Sequence, residues 1–184
     1  MMDIVNDLWR SKNVEEILLV DVDDREIGYT TKEDAHKYGK LHRAFSVFLF
    51  HGDKMLIQKR NIHKYHSGGL WTNSCCSHQR RGESLEEAVR RCMECELGVV
   101  TELSEAFHFI YRTKFSEELY EYEIDHVFVG EFDGSIELNE DEASEIEWIN
   151  MDELKKRLIT EPDNFTSWFI IAAPKVLKIM ELNK

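Results

Sequence analysis

Ala44-Phe45-Ser46-Val47-Phe48-Leu49-Phe50 is apolar at all positions but Ser46, and this run restricts the fold more than any other stretch of the chain. It falls far short of the roughly 20 apolar residues that a membrane-spanning helix needs. It reads instead as a β-strand buried on both faces, which requires covering layers on each side of its sheet. His51-Gly52-Asp53-Lys54 turns it into a second strand, Met55 to Arg60. Ile17 to Val20 and Glu26 to Tyr29, joined across Asp23-Asp24-Arg25, form an opening β-hairpin. Thr31 to Lys37 is a short helix with Thr31 as its cap. Ser84 caps a longer helix that stops at Gly98. Phe107 to Thr113 and Tyr120 to Phe132 are strands joined by Ser116-Glu117-Glu118, and Ile146 to Ile149 add a short one. Met151 to Thr160 and Phe165 to Leu182 are helices, with Pro174 kinking or dividing the second. The pattern predicts an α/β (α+β) fold, a mixed sheet sandwiched between helices with an N-terminal β-hairpin extension.

At 184 residues the chain is read as one domain, 1–184. The opening Met-Met-Asp-Ile-Val-Asn-Asp lacks a basic region followed by an apolar block, so no secretory signal is expected. With no membrane segment either, the expected location is cytoplasmic. A formal charge of −13 argues against nucleic-acid binding, which needs a basic face. An anionic substrate would then require a local basic cluster or a bridging divalent cation. Gln58-Lys59-Arg60-Asn61-Ile62-His63-Lys64 could be that cluster, or an ordinary solvated strand end. The cysteines at 75, 76, 92 and 95 are too few for a disulfide framework in a chain of this length. A four-thiolate zinc site is disfavoured because Cys75 and Cys76 lack the usual two-residue gap.

Trp71-Thr72-Asn73-Ser74-Cys75-Cys76-Ser77-His78 sets a thiol, Cys76, two residues from a candidate metal-ligating imidazole, His78. His36, His42 and His78, with Glu121 and Glu123, form a candidate ligand set. Glu121 and Glu123 are two apart on a predicted strand and therefore share a face. Paired buried carboxylates call for a cation, though alternating acids can equally be the wet face of an antiparallel strand. A thiol beside a metal suits proton transfer at carbon better than hydrolysis.

Together these blocks identify a resemblance. Leu41-His42-Arg43-Ala44-Phe45-Ser46, the Trp71–His78 octet, Gly82-Glu83-Ser84, Arg91 to Gly98 and Tyr120-Glu121-Tyr122-Glu123-Ile124-Asp125 resemble the type 1 isopentenyl-diphosphate isomerases, a branch of the Nudix superfamily. The likeness runs from about His36 through Trp168. A Nudix hydrolase shows Gly, five residues, Glu, seven residues, then Arg-Glu-x-x-Glu-Glu. Here Ser77 replaces the Gly, Glu83 and Arg91 are kept, Cys92 and Cys95 replace two acids, and only Glu96 is retained. Gln79 follows His78 where many isomerases have proline, a change expected to affect loop stiffness and not chemistry.

The resemblance implies a Nudix-type fold and isomerisation of isopentenyl diphosphate to dimethylallyl diphosphate by protonation and deprotonation at carbon. It implies Cys76 and Glu123 as the proton-transfer pair, with the aromatic residues Tyr111 and Trp168 near the carbon skeleton. Lys32, Arg60, Lys64 and Ser77 correspond to substrate-binding positions. Glu96 corresponds to the residue holding a diphosphate-bridging Mg2+. His36, His42, His78, Glu121 and Glu123 correspond to a five-ligand site for a second divalent metal, Mn2+, Mg2+ or Zn2+. Two other classes remain open on the residues alone: a Nudix hydrolase of a nucleoside diphosphate derivative, and a metal- or redox-sensing module built on the cysteines. Oligomeric state is not legible.

Overall fold

A computed structural model of the protein describes residues 15–182; the N-terminal stretch read as lacking a secretory signal lies outside them. The elements run β1 (Glu16–Val20), β2 (Glu26–Thr31), α1 (Lys32–Tyr38), β3 (His42–His51), β4 (Lys54–Arg60), β5 (Trp71–Thr72), β6 (Cys75–His78) and α2 (Leu85–Leu97). They continue as β7 (Ser104–Ser116), β8 (Leu119–Glu131), β9 (Ala143–Asn150), α3 (Met151–Thr160), a 3-10 turn at Pro162–Asn164 and α4 (Ser167–Leu182).

The apolar run at 44–50 is the centre of a mixed sheet. β3 runs parallel to β8 from His42 opposite Glu123 to Phe50 opposite Glu131. Its pairing with β4 is confined to the turn end, Phe50 with Met55 and His51 with Lys54. Beyond that point the two strands diverge, and the Trp71–His78 octet wedges between them. β5 pairs with β4, and β6 pairs with β3, Ala44 facing His78 and Ser46 facing Cys76.

The buried polar residues of the octet replace the missing ladder. Ser74 Oγ accepts from the Leu49 amide and donates to the Leu56 carbonyl, each at 2.8 Å. Asn73 Nδ2 donates to the Cys75 carbonyl at 2.6 Å, and its Oδ1 accepts from Trp168 Nε1 at 3.1 Å. Backbone groups stranded in a dry core each cost about 1–3 kcal/mol, so these side chains hold the split open without leaving such orphans.

Strand alternation sorts the sheet into two faces. Phe48, Phe50, Tyr111 and Val127 pack with Trp168, Phe169, Ala172 and Val176 of α4. Phe45, Val47, Leu49 and Cys75 pack with Ala88, Val89, Cys92 and Met93 of α2. This is the predicted sheet between helical layers. In α2 the Ser84 hydroxyl accepts from the Glu87 amide while the Glu87 carboxylate accepts from the Ser84 amide, a complete capping box. Gly98 ends the helix at φ +63°, where a Cβ would come within 2.9 Å of the Glu137 Cβ. Several expected bounds change in detail, with β7 spanning Ser104–Ser116 and α4 starting at Ser167. α4 runs undivided through Pro174, and the last strand spans Ala143–Asn150 because β4 pairs along its whole length. No helix of the described residues is long and apolar enough to cross a membrane.

Candidate active site

Register brings the chemistry together. His42, Ala44 and Ser46 of β3, Glu123 and Asp125 of β8, Cys76 and His78 of β6, and Tyr111 of β7 occupy one face. All of these but His42 line a cavity of about 220 Å³. α1 delivers His36, one helical turn after Lys32. Thr31 Oγ1 accepts from the Asp34 amide to start that helix. On β6, Cys76 enters the cavity whereas Cys75 is buried beneath α2. All four cysteines are free thiols, and none belongs to a metal-competent group of the described residues.

Ligand atoms of His36, His42, His78 and Glu123 lie within 4.8 Å of one another, all four residues buried. Their hydrogen bonds show what fits between them. His42 Nδ1 donates to the Lys40 carbonyl at 2.8 Å, so a neutral ring presents a lone pair at Nε2. That Nε2 faces Glu123 Oε1 at 3.2 Å, and His78 Nε2 meets the same oxygen at 3.0 Å. His36 Nδ1 pairs with the Tyr65 hydroxyl at 2.7 Å, while its Nε2 is buried with no partner. Electron-rich atoms converge with too few protons between them, the donor set of a divalent cation.

Protonation states agree. Burial, then His78 and His42, pushes His36 down to about 2. Burial pushes His78 down to about 4. Both imidazoles are thus in the neutral form that binds metal. Burial alone would raise Glu123, but the His42 and His78 imidazoles beside it outweigh that and hold this carboxyl well below the usual range. Burial raises the Cys76 thiol well above its ordinary value, so the sulfur keeps its proton at rest.

Glu121 and Glu123 share a face as predicted but take different partners. Tyr111 bridges them, its hydroxyl 2.6 Å from Glu123 Oε2 and 2.9 Å from Glu121 Oε2. The other oxygen of Glu121 meets His66 Nε2 at 2.9 Å. Glu121 therefore borders the four-residue group, joined to it through Tyr111. Glu96 lies across the cavity, receiving Gln58 Nε2 at 3.1 Å and the Cys92 thiol at 3.3 Å. Burial, then Glu142, pushes it up to about 7.

Of the basic side chains in the segment 58–64, Arg60 and Lys64 line the cavity, whereas Lys59 pairs with Glu145. Lys32, Arg60, Lys64, Arg80 and Arg91 all line the cavity, as does Ser77. Lys64 pairs with Glu142, and the Arg60 guanidinium lies 5.3 Å from the centre of the Trp168 ring. Arg91 binds Glu83 through two nitrogens, at 2.6 and 3.0 Å, and donates to the His78 carbonyl at 3.1 Å, pinning the loop that carries His78. Gln79, at the expected proline position, donates to the Glu83 carbonyl at 2.6 Å and accepts from Arg43 at 3.0 Å. Side-chain bonds thus stiffen that loop.

Two cavity residues, Asp125 and His66, are not among the candidate site residues read from the sequence. Asp125 is 2% exposed. Burial, then Glu123, raises it well above the usual carboxylate range, and Ser46 Oγ donates to it at 2.8 Å. Extending the alternation Glu121, Glu123 by two more residues finds it. His66 is stacked on Phe115 at 4.5 Å and set edge-on to Trp168 at 6.0 Å. It sits in an aperiodic loop, and no local signal marks it.

Comparison with known proteins follows the same lines. A NUDIX domain matches residues 40–169. The chain is 46% identical to an isopentenyl-diphosphate Delta-isomerase 2 of Photorhabdus laumondii, covering 83% of this chain and 87% of that protein. It is 42% identical to an isopentenyl-diphosphate Delta-isomerase 2 of Aromatoleum aromaticum, covering 92% and 90%. Among solved structures, a protein from Deinococcus radiodurans superposes with a TM-score of 0.73 at 21% identity, covering 88% of this chain and 98% of that one. A MutT protein from Methanosarcina mazei gives 0.61 at 17% identity, covering 77% and 95%; at such identities these two speak for the fold. With the split sheet, the octet and the His/Glu group in place, the chain belongs to the Nudix family and, within it, to the isopentenyl-diphosphate Delta-isomerases.

Proposed function

We propose that this protein interconverts isopentenyl and dimethylallyl diphosphate, with Cys76 and Glu123 as its two proton-transfer groups. One gives a proton to the terminal methylene carbon of the alkene, creating positive charge at the tertiary carbon. The other removes a proton from the neighbouring methylene, and the double bond moves inward. The roles exchange when the reaction runs backwards. The observation that carries this reading is the thiol of Cys76 opening into the same cavity as Glu123 and His78, two members of the His/Glu group. The hydrolytic alternative lacks two of its carboxylates, because Cys92 and Cys95 stand at two acid positions of the hydrolase frame.

Water would capture the cationic carbon, so the hydrocarbon must sit dry. Trp168 and Tyr111, both buried, supply apolar walls and π faces that favour positive charge. Tyr111 also donates to Glu123 and fixes its direction. His36, His42, His78 and Glu123, with Glu121 alongside, would hold the second divalent metal, Mn2+, Mg2+ or Zn2+, whose charge tunes the proton affinity of Glu123. At the other end Glu96 would hold Mg2+ against the substrate diphosphate, whose oxygens Lys32, Arg60, Lys64 and Ser77 would contact. The substrate is a small diphosphate, and neither nucleic acid nor a membrane is a partner in this reading. A cytoplasmic setting suits reduced cysteines.

The test is incubation of the purified protein with isopentenyl diphosphate and Mg2+. Dimethylallyl diphosphate should form with no release of phosphate. Phosphate release without the allylic isomer would overturn the proposal.

A further inference from the structure

On the reverse side of the sheet from the cavity, a second group of ligating atoms gathers at the far end of β7 and β8. His108 and His126 are direct cross-strand partners, their rings 5.2 Å apart. Glu105 reaches them from just before a bulge in β7. One ligand atom from each of Glu105, His108 and His126 lies within 4.8 Å of the other two. Nothing in the proposed isomerisation uses these three residues.

The hydrogen bonds of His126 are short of protons. Asp24, in the β1–β2 turn, accepts from Arg43 Nε at 2.9 Å and faces His126 as an acceptor too. His126 Nε2 meets its second oxygen at 3.0 Å and must carry the hydrogen there. A neutral ring is left with a lone pair on Nδ1, yet Nδ1 stands 2.8 Å from Glu105 Oε1, which has only lone pairs to offer. Two acceptors at that distance need positive charge between them, either a second ring proton or a metal ion. A proton would leave His108 without a role, although its Nδ1 is 3.9 Å from the same Glu105 oxygen. A carboxylate behind the outer nitrogen of a histidine is also the usual support of a metal-bound imidazole.

We propose that Glu105, His108 and His126 form a surface site for a zinc-class divalent ion, with Asp24 orienting His126. Two imidazoles and one carboxylate suit Zn2+, Ni2+ or Cu2+ and disfavour Mg2+. His126 is buried and fixed, whereas the side chains of His108 and Glu105 are 58% and 41% exposed and can swing to close the coordination. An ion held there ties the β1–β2 turn, through Asp24 and His126, to the β7–β8 hairpin.

The experiment is zinc binding to the metal-stripped full-length protein, by equilibrium dialysis against zinc chloride. Wild type should bind one equivalent more than His108→Ala and Glu105→Gln, both of which keep Mg2+-dependent turnover because neither residue touches the cavity. Asp24→Asn should weaken the extra equivalent by about 10- to 100-fold. Equal zinc stoichiometry in wild type and both variants would overturn the proposal. So would a His126 ring that NMR shows as imidazolium at pH 8 and unmoved by zinc.

Discussion

Cys75 and Cys76 are consecutive in β6, and strand alternation sends them into different environments. Cys75 packs under α2 with Val47, Val89 and Cys92, where every neighbour in the cluster is apolar. Cys76 enters a cavity lined by Glu123, Asp125, Tyr111 and Arg60. Burial raises both thiols and Glu96 adds to the rise at each, while Cys76 also has Arg60 and Asp125 beside it. A single residue step thus separates an apolar setting from one that holds buried charge.

The largest expected difference is in turnover. Cys76→Ala and Glu123→Gln should each lower kcat by about 10²–10⁴-fold or more, with the melting transition held near wild type. Steady-state kinetics beside thermal melts reads both quantities, and a near-normal rate in either variant removes the two-sided proton transfer. The next effect is on metal. Tyr65→Phe removes the partner of His36 Nδ1 and should weaken divalent-metal affinity by about 10- to 100-fold. Metal titration of the stripped protein measures it, and unchanged affinity would show that His36 is oriented by its packing alone.

Cys75→Ala should do the opposite of Cys76→Ala: turnover is retained and stability falls by about 1 kcal/mol, read from denaturant unfolding. Loss of activity without loss of stability would erase the contrast between the faces. The smallest effect is a pH slope. Glu96, pushed from 4.5 up to about 7, binds a proton more readily in the folded chain than in the unfolded one. In the metal-stripped protein that stabilising contribution is full below the unfolded value and fades as pH rises through about 7. Glu96→Gln should flatten the profile over this window, and an unaltered slope would mean that the carboxyl does not titrate there.

Much of this division is legible in the sequence, for reasons that are local. The apolar run at 44–50, the Ser84 cap and the Gly98 stop are short-range signals, and they place β3 and α2 correctly. Alternation along a strand is enough to put Glu121 and Glu123 on one face. The features that sequence pattern does not reveal are decided by long-range contact. The octet, which has no periodicity of its own, becomes two short strands because Asn73 and Ser74 bridge β3 and β4 where they part. Glu121 shares the face of Glu123 as expected, and the groups that hold it, Tyr111 and His66, come from two other parts of the chain. The grouping of Glu105, His108 and His126 depends on a bulge and on Asp24, which is 102 residues from His126.

The most direct measurement of the central claim is isomerisation run in deuterated water. If Cys76 and Glu123 shuttle solvent-exchangeable protons across the alkene, the dimethylallyl diphosphate formed by wild type carries deuterium in a methyl group, and Cys76→Ala and Glu123→Gln lose that label together with the product. Product of normal yield bearing no solvent deuterium would contradict the account, because hydrogen would then have moved within the substrate without passing through either residue.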